Sequence, residues 1–146
     1  MRVLVVDDDP SVRGAVRVGL DPIEVVEADD GPSALRILRT EYLDVVLLDI
    51  SMPLMDGLTT LRTMKREKEY GNPAVLMLSG RGSEADHVAA FRLGAHGYLT
   101  KPFDPDDLEK AVREMAERTP QQREEARQEE LRRAEFLDTL ERRFGY

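Results

Sequence analysis

Five short hydrophobic runs alternate along the chain with longer segments in which hydrophobic residues recur at helical spacing. Three of the runs are continuously apolar, which is typical of strands that are buried on both faces of a parallel sheet. The second run carries Glu24 and Glu27, which favours a position at the edge of the sheet. The predicted strands are Val3–Val6, Ile23–Ala28, Val45–Leu48, Ala74–Leu78 and Gly97–Leu99.

Capping signals predict where the helices between these strands begin. Asp9-Pro10 and Asp104-Pro105 each place a capping carboxylate before a first-turn proline. Ser83, with Asp86 three residues later, is a variant of the capping box. Strands and helices therefore follow each other as five consecutive βα units, which predicts a parallel sheet with helices on both faces and right-handed crossovers. Similar but less complete signals are Asp30-Gly31-Pro32 and Asp56-Gly57.

This alternation predicts an α/β fold with a doubly wound five-stranded parallel sheet, in the flavodoxin-like order 2-1-3-4-5. The composition changes near Thr119-Pro120, after which Arg, Glu, Gln and Ala dominate. We therefore divide the chain into a domain of residues 1–118 and a charged helical extension of residues 119–146. Three interpretations of the extension remain open: a linker to an absent output domain, a dimerisation helix, or a helix folded back on the domain.

Polar residues stand where the predicted strands end. The first strand runs into Asp7-Asp8, the third into Asp49 and the fourth into Ser79, and Lys101 follows the fifth. Parallel strands point the same way, so these side chains share one edge of the sheet, where ligands bind at the reversal of strand order. We expect the three carboxylates to face one another, with the lysine and the serine beside them.

Three carboxylates at close range repel one another, and a bound cation removes that conflict. Oxygen ligands without His or Cys favour Mg²⁺ over Zn²⁺. Mg²⁺ usually binds one or two carboxylates together with phosphate oxygens. The cluster therefore predicts a site for metal-assisted phosphoryl chemistry, with Lys101 and Ser79 available to the phosphoryl oxygens.

Composition narrows the classes of partner. A chain of 146 residues with a net charge of -8 is too acidic for a nucleic-acid or anionic-membrane binder. It has no cysteine, and no apolar run approaches the roughly 20 residues that a membrane span needs. We expect a cytoplasmic protein with no direct nucleic-acid or membrane partner. His87 and His96 stand apart from each other, and we expect both at the surface.

Four segments of the chain, in order and at matching spacing, resemble the bacterial response-regulator receiver domain over about residues 1–118. The first holds Asp7-Asp8-Asp9-Pro10, and the second runs from Leu47 through Asp49 to Gly57. The others are residues 76–80, ending in Ser79-Gly80, and residues 94–103, which contain Tyr98-Leu99-Thr100-Lys101-Pro102-Phe103.

The resemblance implies that Asp49 is a phosphoacceptor that receives its phosphoryl group from a sensor histidine kinase or a phosphotransfer protein. It implies a Mg²⁺ site, with Mn²⁺ as a possible substitute, formed by Asp8 directly, by Asp7 through water, and by Asp49. The further implied roles are a metal-binding backbone carbonyl at Ser51, phosphoryl binding by Lys101 and Ser79, switching by Ser79 and Tyr98, and a cis peptide bond before Pro102.

The implied output is a changed surface for a downstream protein partner, an absent output domain or a second copy of the chain. Many relatives have an acidic pair where this chain has His96-Gly97, so homodimerisation through the fourth helix, fifth strand and fifth helix is not implied directly.

Ser51 and Arg81 flank the site and are candidates for tuning hydrolysis. For a receiver domain we expect no turnover beyond self-phosphorylation and slow self-dephosphorylation. The two alternatives are a phosphohydrolase that uses Asp7 as nucleophile and a phosphorylation-independent scaffold.

Overall fold

Five strands form one parallel sheet in a computed structural model that describes residues 1–80 and 83–145. The order across the sheet is β2-β1-β3-β4-β5, as the alternation of strands and helices predicts. Strand β2 lies at one edge, where its exposed Glu24 reaches solvent. The strands are β1 (Arg2–Val6), β2 (Glu24–Ala28), β3 (Val45–Asp49), β4 (Ala74–Ser79) and β5 (Gly97–Thr100).

In the described ranges, six α-helices and one short 3₁₀ helix connect or follow the strands. Each predicted capping side chain accepts a hydrogen bond from a backbone N–H of its helix, which contributes about 1 kcal/mol per helix. No helix in the described part of the chain is both long enough and apolar enough to cross a bilayer. The helices are α1 (Pro10–Leu20), α2 (Gly31–Thr40), α3 (Gly57–Arg66), α4 (Glu84–Leu93), α5 (Pro105–Glu117) and α6 (Pro120–Phe144), and the 3₁₀ helix is Lys68–Tyr70.

Helices cover both faces of the sheet, so the strands are buried on both sides. Successive residues of β3 alternate between two hydrophobic clusters: Leu47 packs in the cluster that includes α1 and α5, and Leu48 in the cluster that includes α2, α3 and α4. All five residues of β3 are buried. This two-sided packing fixes the strands and therefore the side chains at their ends.

Helix α6 packs against α4, and this contact changes the surroundings of both histidines. The prediction that His87 and His96 lie at the surface is wrong, since they are 6% and 7% exposed. The ring of His87 stacks on Tyr98, with 3.8 Å between the ring centroids. Nδ1 of His96 accepts a hydrogen bond of 3.0 Å from the N–H of Val75. Burial under neighbouring elements, which local sequence does not reveal, accounts for the error.

Candidate functional site

Three carboxylates meet at the carboxyl edge of the sheet. Asp49 is the last residue of β3, and Asp7 and Asp8 follow β1 directly. One oxygen atom from each of the three lies within 4.8 Å of the other two. Asp7 and Asp49 are buried, whereas Asp8 is exposed. The structure thus brings together the three acids that the strand ends single out.

Lys101 reaches the same point from the end of β5. Its Nζ lies 3.0 Å from Oδ2 of Asp7 and 3.4 Å from Oδ1 of Asp49. The backbone N–H of Lys101 donates a hydrogen bond of 2.7 Å to the carbonyl oxygen of Ser79. The Lys101–Pro102 peptide bond is cis, as the resemblance implies, and a second cis bond, which was not predicted, joins Asp21 to Pro22. The lysine therefore bridges the two buried acids.

Burial and like charge shape the electrostatics of the site. Burial, together with the charge of Asp7, raises the pKa of Asp49 to about 6, although the charge of Lys101 lowers it. Burial by itself would lower the pKa of Lys101, but the hydrogen bond to Asp7 and the charges of both acids outweigh it and raise that pKa. At neutral pH the Asp49 carboxylate is therefore mainly ionised and faces a charged lysine.

The oxygens of the two buried acids differ in what they already bind. Oδ1 of Asp7 accepts a hydrogen bond of 2.9 Å from the N–H of Asp9, and its Oδ2 pairs with Lys101. Oδ1 of Asp49 accepts a hydrogen bond of 3.2 Å from the N–H of Ser51 and also faces Lys101. Within residues 1–80 and 83–145, no hydrogen bond or ion pair involves Oδ2 of Asp49. Among the described residues, the polar side-chain contacts of Asp49 therefore use only its Oδ1.

Ser79 lies on β4, the neighbour of β3, and Tyr98 lies on β5, the next strand beyond β4. Asp49 is paired with Leu78, so Ser79 lies one residue beyond the level of Asp49, and it is buried. Ser79 is itself paired with Thr100, two residues after Tyr98. Residues two apart in a strand share a face, so Tyr98 lies on the same face of the sheet as Ser79. Arg81, the other suggested flanking residue, lies outside the described residues.

Two residues at the site were missed by the sequence analysis. A Cβ on Gly57 would lie 2.1 Å from the carbonyl oxygen of Asp49, so only glycine allows α3 to approach this strand end. Nη1 of Arg13 donates a hydrogen bond of 2.7 Å to the carbonyl oxygen of Asp7, and its Nε lies 3.1 Å from Glu27. The one available signal is the glycine at the first position of the helix that follows the site, and the sequence analysis interprets Asp56-Gly57 only as the start of a helix.

The donor set fits a hard divalent cation. All three carboxylates offer oxygen, and neither histidine is among the clustered residues. Oxygen-only ligands are those that Mg²⁺ prefers, and within residues 1–80 and 83–145 a single lysine pairs with both buried acids. The residues present therefore suit Mg²⁺.

The family model described as "Response regulator receiver domain" matches residues 3–113 of the chain. The chain belongs to this family. It is a receiver domain of two-component signalling, a family whose role is regulatory.

Solved receiver structures share the fold along most of their length. The chemotaxis protein CheY4 of Vibrio cholerae is 33% identical, with a TM-score of 0.74, and the similarity covers 78% of this chain and 97% of that one. The receiver domain of NtrX from Brucella abortus is 32% identical, with a TM-score of 0.74, covering 80% of this receiver and 99% of that chain. The arrangement of the sheet and its helices is therefore that of other receivers.

Curated relatives are longer than this receiver. The probable transcriptional regulator ycf27 of Cyanophora paradoxa is 38% identical over 120 residues, which are 81% of this chain and 49% of the relative. The DNA-binding regulator RpaA of Synechocystis is 31% identical over 145 residues, or 98% of this chain and 60% of that protein. The receiver thus spans about half the length of the relatives it matches, and the similarity to RpaA extends into the region of α6.

Proposed function

We propose that Asp49 is the phosphoacceptor of this receiver. A carboxylate oxygen of Asp49 attacks the phosphorus of a phosphohistidine on a sensor histidine kinase or a phosphotransfer protein. The new P–O bond forms as the P–N bond breaks, and the imidazole leaves with the electron pair. The observation that carries the proposal is the Oδ2 of Asp49, which no polar contact of the described residues uses, beside an Oδ1 that Ser51 and Lys101 hold in place. In Asp7, the nucleophile of the alternative hydrolase reaction, both oxygens are engaged.

Positioning and charge neutralisation are the main tasks of a protein in phosphoryl transfer. Asp7, Asp8, Asp49 and the backbone carbonyl of Ser51 would hold Mg²⁺, or Mn²⁺ in its place, and the bound ion would neutralise charge on the phosphoryl oxygens. Lys101 supplies a further positive charge at 3.4 Å from Asp49. Ser79, on the neighbouring strand, donates a hydrogen bond to the phosphoryl group in this proposal.

Phosphorylation replaces one carboxylate charge by about two and adds strong acceptor oxygens. We propose that Ser79 moves toward these oxygens and that Tyr98, on the same face of the sheet, turns inward as it does so. A protein partner, or an output domain elsewhere in a longer chain, reads the altered surface. The names of the relatives connect such receivers with the control of transcription.

Incubation with acetyl phosphate and Mg²⁺, followed by intact mass spectrometry, tests the proposal without the cognate kinase. We expect one phosphoryl group per chain in the wild type and none in Asp49→Asn. Asp7→Asn is the matched control, because it removes the same charge from the other buried acid. Some phosphorylation should survive in Asp7→Asn, and its modified peptide should contain Asp49.

Two results would contradict this function. A phosphoryl group mapped to Asp7 in the wild type would favour the hydrolase reaction. No gain of mass with a range of small phosphodonors, in a chain that is shown to be folded, would favour a receiver that works without phosphorylation.

A further inference from the structure

Helix α6 lies antiparallel along α4, and polar contacts mark both ends of the pair. Near the beginning of α6, Nη1 of Arg127 donates a hydrogen bond to the carbonyl oxygen of Phe91 in the last turn of α4. Near the end of α6, a carboxylate oxygen of Glu141 accepts a hydrogen bond of 3.4 Å from the N–H of Glu84, the first residue of α4. The extension therefore follows the whole length of this helix.

These contacts match the polarity of α4. The first turn of a helix has free N–H groups and a partial positive charge, and the last turn has free carbonyl groups and a partial negative charge. The carboxylate of Glu141 lies at the first end, and the guanidinium of Arg127 at the second. Glu135, between these two residues of α6, forms an ion pair of 3.1 Å with Arg92 in the last turn of α4. Charged side chains of α6 thus lie at the two ends of α4 whose partial charges are opposite to their own.

An apolar seam joins the two helices between these polar ends. Val88 and Phe91 of α4 and Ala134 of α6 form a hydrophobic cluster that is separate from the two clusters of the sheet. Ala134 is only 4% exposed, although charged residues flank it directly on both sides in the sequence. Leu131 packs against the same cluster. Side chains of α6 therefore bury the outer surface of α4.

Tyr98 belongs to this seam and also to the strand next to Ser79. Its ring stacks on His87 and meets the edge of Phe91, with 6.0 Å between the ring centroids. It packs against the cluster that contains Ala134. The ring in its present position is therefore part of the surface on which α6 lies.

We propose that the α4–β5 surface is an interaction surface whose resident partner is α6 of the same chain, and that α6 docking and phosphorylation of Asp49 oppose each other. The inference rests on the proposed function, since it is the inward turn of Tyr98 that withdraws part of the docking surface. Coupling of this kind is reciprocal: if phosphorylation weakens docking, loss of docking must favour phosphorylation by the same factor. A partner that uses this surface must then displace α6.

Hydrogen exchange of the full chain, with and without acetyl phosphate and Mg²⁺, measures docking through the α6 amides. Intact mass on the same samples measures phosphorylation. We expect α6 to exchange faster in the phosphorylated fraction, while the central strand β3 stays protected. A phosphorylated chain with unchanged exchange in α6 would overturn this inference alone. Absence of any phosphorylation would overturn it together with the proposed function.

Substitutions in α6 test the reciprocal effect. Ala134→Glu places an unpaired charge in the seam, which opposes docking by more than the ~1.4 kcal/mol of a tenfold change, so exchange in α6 should rise more than about tenfold. The extent of phosphorylation at limiting acetyl phosphate should rise as well. Thr139→Glu is the control, because it adds the same charge at an exposed position of the same helix.

Leu131→Ala is a second, milder test in case the charged variant does not fold, since it only removes part of the apolar contact. It should shift exchange and phosphorylation in the same direction as Ala134→Glu, but less. If neither variant alters phosphorylation while exchange in α6 rises in both, docking and phosphorylation are independent and the proposal is wrong.

Discussion

Protonation of His96 should destabilise this receiver as the pH falls, because the fold holds that imidazole in its neutral form. Nδ1 of His96 accepts a hydrogen bond from the N–H of Val75, and an imidazolium has no acceptor to offer there. Burial lowers the pKa of His96 to about 3, with further lowering from Lys65 of α3 and from Arg123 and Arg127 of α6. The carboxylate of Glu124 opposes these effects only in part.

The size of the effect follows from the difference between the folded and unfolded pKa values. The unfolded chain protonates His96 near pH 6.5, whereas the folded chain does so only near pH 3. Between these values the unfolded state binds more protons, so the free energy of unfolding falls by about 1.4 kcal/mol for each unit of acidification. The contribution of the neutral His96 imidazole to the free energy of unfolding is complete above pH 6.5. At pH 5 about 2 kcal/mol of it should be lost.

Urea unfolding at pH 7.5 and pH 5, followed by circular dichroism because the chain has no tryptophan, measures this loss. The comparison is His96→Asn, whose side-chain oxygen can still accept from Val75 but does not titrate. The two proteins differ only at residue 96, so the contributions of all other groups largely cancel in the difference. If wild type and variant lose the same stability on acidification, His96 is not held neutral by the fold and the reasoning fails.

Three further predictions concern the acidic cluster and its surroundings. Gly57→Ala should lower the free energy of unfolding by roughly 1–3 kcal/mol or more, because the added Cβ would lie 2.1 Å from the carbonyl oxygen of Asp49. The control Gly14→Ala, with nothing within 4 Å of the added carbon, should stabilise by about 0.5–1 kcal/mol in urea unfolding. At a hundred times its Kd, Mg²⁺ should raise the free energy of unfolding of the wild type by about 2.7 kcal/mol, which is seen as a higher thermal midpoint. The rise should be smaller in Asp8→Asn. An equal rise in both proteins would show that Asp8 does not bind the metal. Lys101→Met should raise the pKa of Asp49 above about 6, measured by carboxyl NMR, because the nearest positive charge is lost.

Much of the fold follows from local rules that act within a few residues. The five capping side chains are predictable because an Asp or Ser directly before a helix can accept hydrogen bonds from its free N–H groups wherever the helix packs. The edge position of β2 followed from Glu24 and Glu27, which two-sided burial would not tolerate. The acidic cluster followed from the direction of parallel strands, which brings Asp7, Asp8 and Asp49 to one edge.

The docking of α6 could not be read in the same way. The sequence leaves a linker, a dimerisation helix and a folded-back helix open for residues 119–146, whereas the contact with α4 centres on Ala134 and is completed by polar groups at the helix ends. An alanine among charged residues carries almost no sequence signal. The burial of His87 depends on contacts of this kind, between elements far apart in the sequence, and so escaped prediction as well.

The antiparallel course of α6 returns the chain to the side of the molecule where its chemistry lies. Helix α4 begins above the strand ends that carry Asp49 and Ser79, and Glu141 lies against that beginning. A fluorophore attached near Gly145 would therefore sense events at the acidic edge, rather than at the opposite pole where α6 starts. The same geometry makes a bulky C-terminal tag a poor choice for kinase assays, because it would stand close to the approach of the phosphodonor.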